Sequence, residues 1–237
     1  MAMNSVFPFF WRFIPQKTMV SAFGVAGVSL LFAGSPSVAR SATPLSDQKL
    51  ARACAEASIM VSFVELAAAG GQVVIDGKKV DSRNAAKTKA DLMAVLERCK
   101  VAGEGQESLQ FAAHWQAQQT GCERNPSLLG SISGVEHNTV QLAQQPGTLM
   151  LKIAGKMEDQ SFAFDLNASL VGSAIALVDP GDSNFMWLGE ATPARIELGP
   201  DTASILRRWP KWIPAPKPAD LDSCRVVFLP RENAPVP

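Results

Sequence analysis

The residues with the widest chemical reach are two histidines, His114 and His137, and four cysteines, Cys54, Cys99, Cys122 and Cys224. Two histidines exclude a multi-histidine metal site. No C-x-x-C pair exists, and the cysteine gaps are too wide for a zinc knuckle. There is no tyrosine, so any mechanism that needs a phenol is excluded. The chain holds no G-x-S-x-G, P-loop or H-E-x-x-H. Gly130-Ser131-Ile132-Ser133-Gly134 is similar in outline to a nucleophile elbow, but its middle residue is Ile132; it reads as a flexible strand edge. Ser46-x-x-Lys49 has the letters of a serine–lysine hydrolase motif and reads as a helix cap. Glu136 and His137 are adjacent, so on a strand they would point to opposite faces. His114 falls on the polar side of an alternating run, where an exposed or hydrogen-bonded role is expected. Asp179-Pro180-Gly181-Asp182-Ser183-Asn184 gathers oxygen ligands that calcium would accept. Its spacing is not that of an EF-hand, and these are ordinary turn residues. No catalytic residue, metal or cofactor is therefore assigned. The 22 acids leave room for a carboxylate dyad, which is the basis of one alternative, a cell-envelope hydrolase.

A different kind of chemistry is concentrated between residues 207 and 218. Arg207, Arg208, Trp209, Lys211 and Trp212 stand among Pro210, Pro214, Pro216 and Pro218, and no acid occurs until Asp220. The prolines favour an extended, pre-ordered backbone. Arginine and tryptophan are enriched at binding hot spots, and tryptophan with lysine suits a membrane interface. These five residues are the candidate contact surface for a protein or envelope partner. The bland alternative is a connector pinned to a sheet by its tryptophans.

The N-terminus indicates where such a partner would be met. Arg12 and Lys17 precede a stretch without charge from Thr18 to Ala39, in which Met19–Ala33 is the apolar core. Ser37-Val38-Ala39 then supplies a small-x-small ending. This is the pattern of a secretory signal peptide cut after Ala39. A retained anchor is the alternative, although a span needs roughly 20 apolar residues. Cleavage leaves a periplasmic or secreted chain of 198 residues with 20 cations and 22 acids, net charge −2. The whole chain is formally neutral, which excludes a strongly basic nucleic-acid binder. Four cysteines in an exported chain predict two disulfides. Of three pairings, Cys54–Cys99 with Cys122–Cys224 is favoured, because each bridge would close one compositional half.

The elements that must position these residues follow from periodicity. Residues 46–69 predict a helix, with Ser46 as cap, Gly70-Gly71 as stop, and Leu50, Cys54, Ile59, Phe63 and Ala67 close to one face. Asp76-Gly77 between β-prone runs predicts a hairpin. Ser82 is expected to cap a second helix through about Lys100. From Ser108 the period changes to two, with Trp115 and Ala117 alternating with polar neighbours. Short alternating runs recur at Val140–Leu142, Leu149–Ile153, Phe162–Leu166, Ala174–Val178, Phe185–Leu188, Arg195–Leu198 and Arg225–Leu229, separated by turn residues. Pro200-Asp201 opens a short helix that ends at Arg207-Arg208. The expected architecture is α+β. A signal peptide (1–39) precedes a mainly helical part (40–104) of two helices with a hairpin between them. An antiparallel β body, barrel or sandwich, follows over 105–237.

Within that body, Phe185-Met186-Trp187-Leu188-Gly189-Glu190-Ala191 followed by Ile196-Glu197-Leu198 resembles the aromatic–glycine–acid–alanine run of the periplasmic C-type lysozyme inhibitors. The similar region spans residues 162–198 and closes with Cys224. The resemblance implies a small exported β-barrel with a terminal disulfide. It carries no functional residue across: Leu188 stands where the family has lysine, and neither its Ser-x-Ser-Gly motif nor its tyrosine is reproduced. The leading expectation is an exported, non-enzymatic binding or accessory protein, possible inhibitors included. The alternatives are the hydrolase and, if residues 18–39 are retained, a membrane-tethered assembly component.

Overall fold

Small residues dominate the first helix, and they determine how close it can come to its neighbours. Helix α1 (Asp47–Ala68) buries Ala51, Cys54, Ala55, Ala57, Met60, Val64 and Ala67. It stops at Gly70, whose φ of 99° is open to glycine at little steric cost. Ser46 occupies the cap position, but its side chain makes no capping hydrogen bond. A computed structural model describes residues 46–75, 78–104, 110–122, 128–132, 138–157, 160–179, 185–209 and 211–231. The segment read as a signal peptide lies outside them, as do Glu136, His137 and residues 180–184.

Strands β1 (Val73–Ile75) and β2 (Lys78–Val80) pair antiparallel, with Ile75 opposite Lys78. Helix α2 (Ala85–Glu104) follows. Its first turn is organised by Asp81 rather than by the expected Ser82. The Asp81 carbonyl accepts from the Ala85 N–H at 2.9 Å, and its carboxylate accepts from the Arg83 N–H at 3.0 Å. Cys54 on α1 is bonded to Cys99 on α2.

From His114 onward the period-two pattern becomes a closed barrel rather than a sandwich. Its strands are β3 (His114–Thr120), β4 (Thr139–Gln145), β5 (Thr148–Met157), β6 (Gln160–Val171), β7 (Ala174–Val178), β8 (Met186–Thr192), β9 (Arg195–Pro200) and β10 (Arg225–Pro230). Each pairs antiparallel with the next in the chain, and β10 pairs with β3 to close the ring. A barrel of eight strands is just wide enough to be filled by side chains or to hold one small ligand. Here it is filled: Trp115, Leu149, Leu151, Ile175, Leu177, Trp187 and Phe228 are fully buried and belong to one cluster. Each large aromatic ring removes about 150–250 Å² from water, roughly 4–6 kcal/mol of gross transfer free energy.

One end of the barrel is stoppered. Of the run Gly130–Gly134, expected to be a strand edge, Gly130 and Ser131 fall in a helical turn instead, α3 (Leu128–Ser131), and residues 133 and 134 lie outside the described residues. Leu129 and Ile132 enter the barrel core. The Asp179 carboxylate accepts from the N–H groups of Leu128 at 3.3 Å and Leu129 at 3.0 Å, and from the Trp187 Nε1–H at 2.9 Å. Asp179 is therefore committed inside the fold and is not a free calcium ligand.

The helical layer lies on the outside of the barrel. Strand β7 is buried on both faces: Ile175 and Leu177 point inward, while Ala174, Ala176 and Val178 meet α1. Alanines on both surfaces permit close approach. Helix α2 reaches the β4–β5 turn, where a Cβ on Gly103 would lie 1.9 Å from the Gly147 backbone nitrogen.

Candidate functional site

Between β9 and β10 the chain leaves the barrel for 24 residues, and the whole cationic segment lies on this excursion. Helix α4 (Thr202–Arg208) opens it, with Asp201 as N-cap accepting from the Ser204 N–H at 3.3 Å. Helix α5 (Pro218–Asp222) ends it, with Pro218 in its first turn. Cys224, just before β10, is bonded to Cys122, just after β3. The strap is thus tied at its far end to the seam of the barrel.

The five candidate contact residues do not all face solvent. Arg208 and Trp209 turn inward. The Arg208 guanidinium donates through Nη2 to Glu56 Oε1 on α1, and both side chains are only 5% exposed. Trp209 packs edge-on against Phe185, ring centroids 6.2 Å apart, in a cluster with Ile205, Leu206 and Leu221. Those two residues fasten the strap. Arg207 is exposed and donates to Ser204 Oγ at 3.4 Å. Lys211 and Trp212 sit in a turn and face solvent, and Trp212 is 83% exposed. The expected extended backbone is seen at Trp209 (φ −60°, ψ 133°) and Lys217 (φ −69°, ψ 138°), and residues 214–217 are neither helix nor strand. The turn at 211–212 projects the indole of Trp212 outward.

The anchoring network was not legible as a unit. Arg52 on α1 reaches Asp201 Oδ2 at 3.2 Å and Ser204 Oγ, and its Nε lies 3.5 Å from Glu56 Oε1. Two guanidinium groups and two carboxylates therefore cross from α1 to α4 in a largely dry seam. The available signal was Arg52 and Glu56 at i,i+4 on a helix otherwise rich in alanine.

A second feature lies beside the strap's roots. A shallow cleft of about 370 Å³ on the outer face of β8 and β9 is lined by Leu188, Gly189, Glu190, Glu197, Gly199, Pro200, Asp222 and Arg225. Glu190 and Glu197 are directly opposite in the ladder. Like charges so placed repel, and Glu197 is compensated by Arg195 at 2.7 Å and Arg225 at 3.8 Å. Arg225 lies flat over Gly199, where a Cβ would meet its Nη1 at 2.8 Å.

The remaining candidates are dispersed. His114 is exposed on β3 opposite Gln141. Ser46 is exposed at the start of α1. Among the described residues no group of three or more His, Cys, Asp or Glu side chains could hold a metal ion, and no helix is long and apolar enough to cross a membrane.

Fold and site together define an eight-stranded antiparallel barrel that carries an external helical layer and a disulfide-tied cationic strap. Comparison of the chain with protein-family models, with curated proteins and with solved structures gave no match.

Proposed function

We propose that this chain is an exported, non-enzymatic binding or accessory protein that meets a protein or envelope partner through the strap between β9 and β10. The observation that carries the reading is Trp212, 83% exposed at a turn. A large aromatic left in water costs stability that binding would recover. The barrel interior is occupied by its own side chains, so recognition falls to the exterior. Two disulfides accord with an oxidising compartment, and the N-terminal pattern supports a periplasmic or secreted location after cleavage near Ala39. An inhibitor is one form this role takes, and the run that resembles the C-type lysozyme inhibitors lies on β8 and β9. The test is gentle cross-linking of the protein in its native envelope beside a Trp212→Ala variant. A stoichiometric adduct lost in the variant is expected; an adduct pattern identical in both would overturn the strap reading. Inhibition of a C-type lysozyme by the purified protein tests the narrower form.

The cleft supports a second reading, a cell-envelope hydrolase, because it opposes two glutamates on adjacent strands. Its weakness is physical: Glu197 is already engaged by Arg195 and Arg225. Hydrolysis of cell-wall glycans or esters that Glu190→Gln abolishes would establish this reading and displace the first.

A further inference from the structure

We infer that the strap's partner is an anionic phospholipid surface, with the Trp212 indole entering the headgroup layer and Lys211 and Lys217 facing lipid phosphates. This rests on the reading of the strap as the contact surface and names its partner.

Three observations favour a lipid surface over a protein. The first is shape. Trp212 stands 83% exposed on a turn, whereas a protein hot spot sits in a packed patch of about 800 Å² per partner. Among the described residues the other large exposed apolar side chains, Leu66, Val74, Met93 and Val101, belong to the helices and hairpin of the N-terminal part. One indole among cations suits an interfacial anchor. The second is charge. Lys211 and Lys217 are exposed, and the sequence has no acid between Asp201 and Asp220. Each cation near an anionic leaflet strengthens binding about fivefold, so two give roughly 25-fold. The third is fixation. The strap is held at one side by Arg208 on Glu56 and Trp209 on Phe185, and at the other by Leu221 in the same cluster and by Cys224–Cys122. The contact turn is presented without being ordered on binding, which lowers the entropic cost of a small contact.

The protein carries its own reporter. Trp115 and Trp187 are fully buried and Trp209 is half-buried, so Trp212 is the water-exposed indole among the described tryptophans. The experiment uses the exported form purified from its host envelope and three kinds of vesicle. These are phosphatidylcholine alone, phosphatidylcholine with about one-third phosphatidylglycerol, and the latter with a nitroxide-labelled lipid. The expected result is a blue shift in emission on the anionic vesicles only. Nitroxide lipid should quench it, and Trp212→Phe should remove most of both changes. Lys211→Gln with Lys217→Gln should weaken binding roughly 25-fold, as should raised salt. Unchanged thermal midpoints for these exposed substitutions show that the fold is intact. No shift on anionic vesicles, or an equal shift on neutral ones, overturns the proposal. So does co-sedimentation with the anionic vesicles, a readout independent of the indole, that Trp212→Ala leaves unchanged. In those cases the cross-linking experiment decides the broader reading separately: a protein adduct lost in Trp212→Ala keeps the strap as a protein-binding surface, and no adduct removes it.

Discussion

Inside the barrel, Trp115, Trp187 and Phe228 fill space that only large side chains can fill. Outside it, α1 meets β7 through Ala51 and Ala55 against Ala174 and Ala176, and α2 meets the β4–β5 turn through glycine on glycine. The interior is held by apolar area. The outer layer is held by closeness of approach, by the buried Arg52–Glu56–Arg208 charges, and by the Cys54–Cys99 bridge. Area tolerates small displacements, because a shifted leucine still excludes water. Close approach and buried charge do not, because one added methyl or one lost proton acceptor has no compensation. The helical layer should therefore yield to chemically modest changes that the barrel would absorb.

The largest effect is expected inside. Trp187→Ala removes a fully buried ring and the donor to Asp179, and should cost about 4 kcal/mol, or a fall in Tm of about 10 °C. Next, Glu56→Gln keeps shape but leaves Arg208 with a weaker partner, and should cost about 3 kcal/mol. Hydrogen exchange should show the loss concentrated in α4 and the strap; an even loss across the barrel would break the distinction between the regions. Gly103→Ala adds a single methyl against the Gly147 backbone and should cost about 2 kcal/mol, with faster exchange along α2 and not in β5. A Trp187→Ala loss no larger than the Gly103→Ala loss would undo the comparison.

The smallest effect is a pH dependence at the start of α2. A side-chain hydrogen bond from Arg83 (2.7 Å), with the Arg83 backbone N–H next, lowers the Asp81 pKa from 3.8 to about 2. A carboxyl so depressed stabilises the fold fully above its unfolded value near pH 4 and loses that contribution as pH falls towards 2. Exchange of the first α2 amides should quicken between pH 4 and 2, and Asp81→Asn should flatten that change. Because the pair is exposed, the effect is local.

Much of the architecture was readable because it is local. The alternation of Leu149, Leu151 and Ile153 and of Phe162, Phe164 and Leu166 reports a strand with one wet face, whatever surrounds it. The helix over 47–68 and the Asp201 cap follow from periodicity and capping chemistry. The missed helices are short and carry weak local signals: α3 is four residues containing glycine and serine, and α5 hides in a proline run. The face assigned to α1 was only partly right, since Leu50 and Ile59 pack at the margin while Ala51 and Ala55 make the contact. Alanine is a weak hydrophobic signal, and its value here lies in what it lets approach. The division of the strap was illegible for a different reason. Arg208 and Lys211 are the same kind of residue until Glu56, 152 positions away, takes one of them inside.

The β3–β10 seam also has a consequence in time. The first and last strands of the barrel are partners, so β3 has no neighbour on one side until the final strand has been made and delivered. Such pairings of distant segments are slow, and an unpaired strand edge invites other chains. A chain delivered from its N-terminus would wait in that state for about 100 residues, the interval between Cys122 and Cys224. Its exposed edge is poor in sticky residues: from His114 to Thr120 the outward side chains are histidine, glutamines and threonine. The bond between Cys122 and Cys224 then links the two ends of that wait, so oxidation becomes the step after which the ring cannot readily reopen.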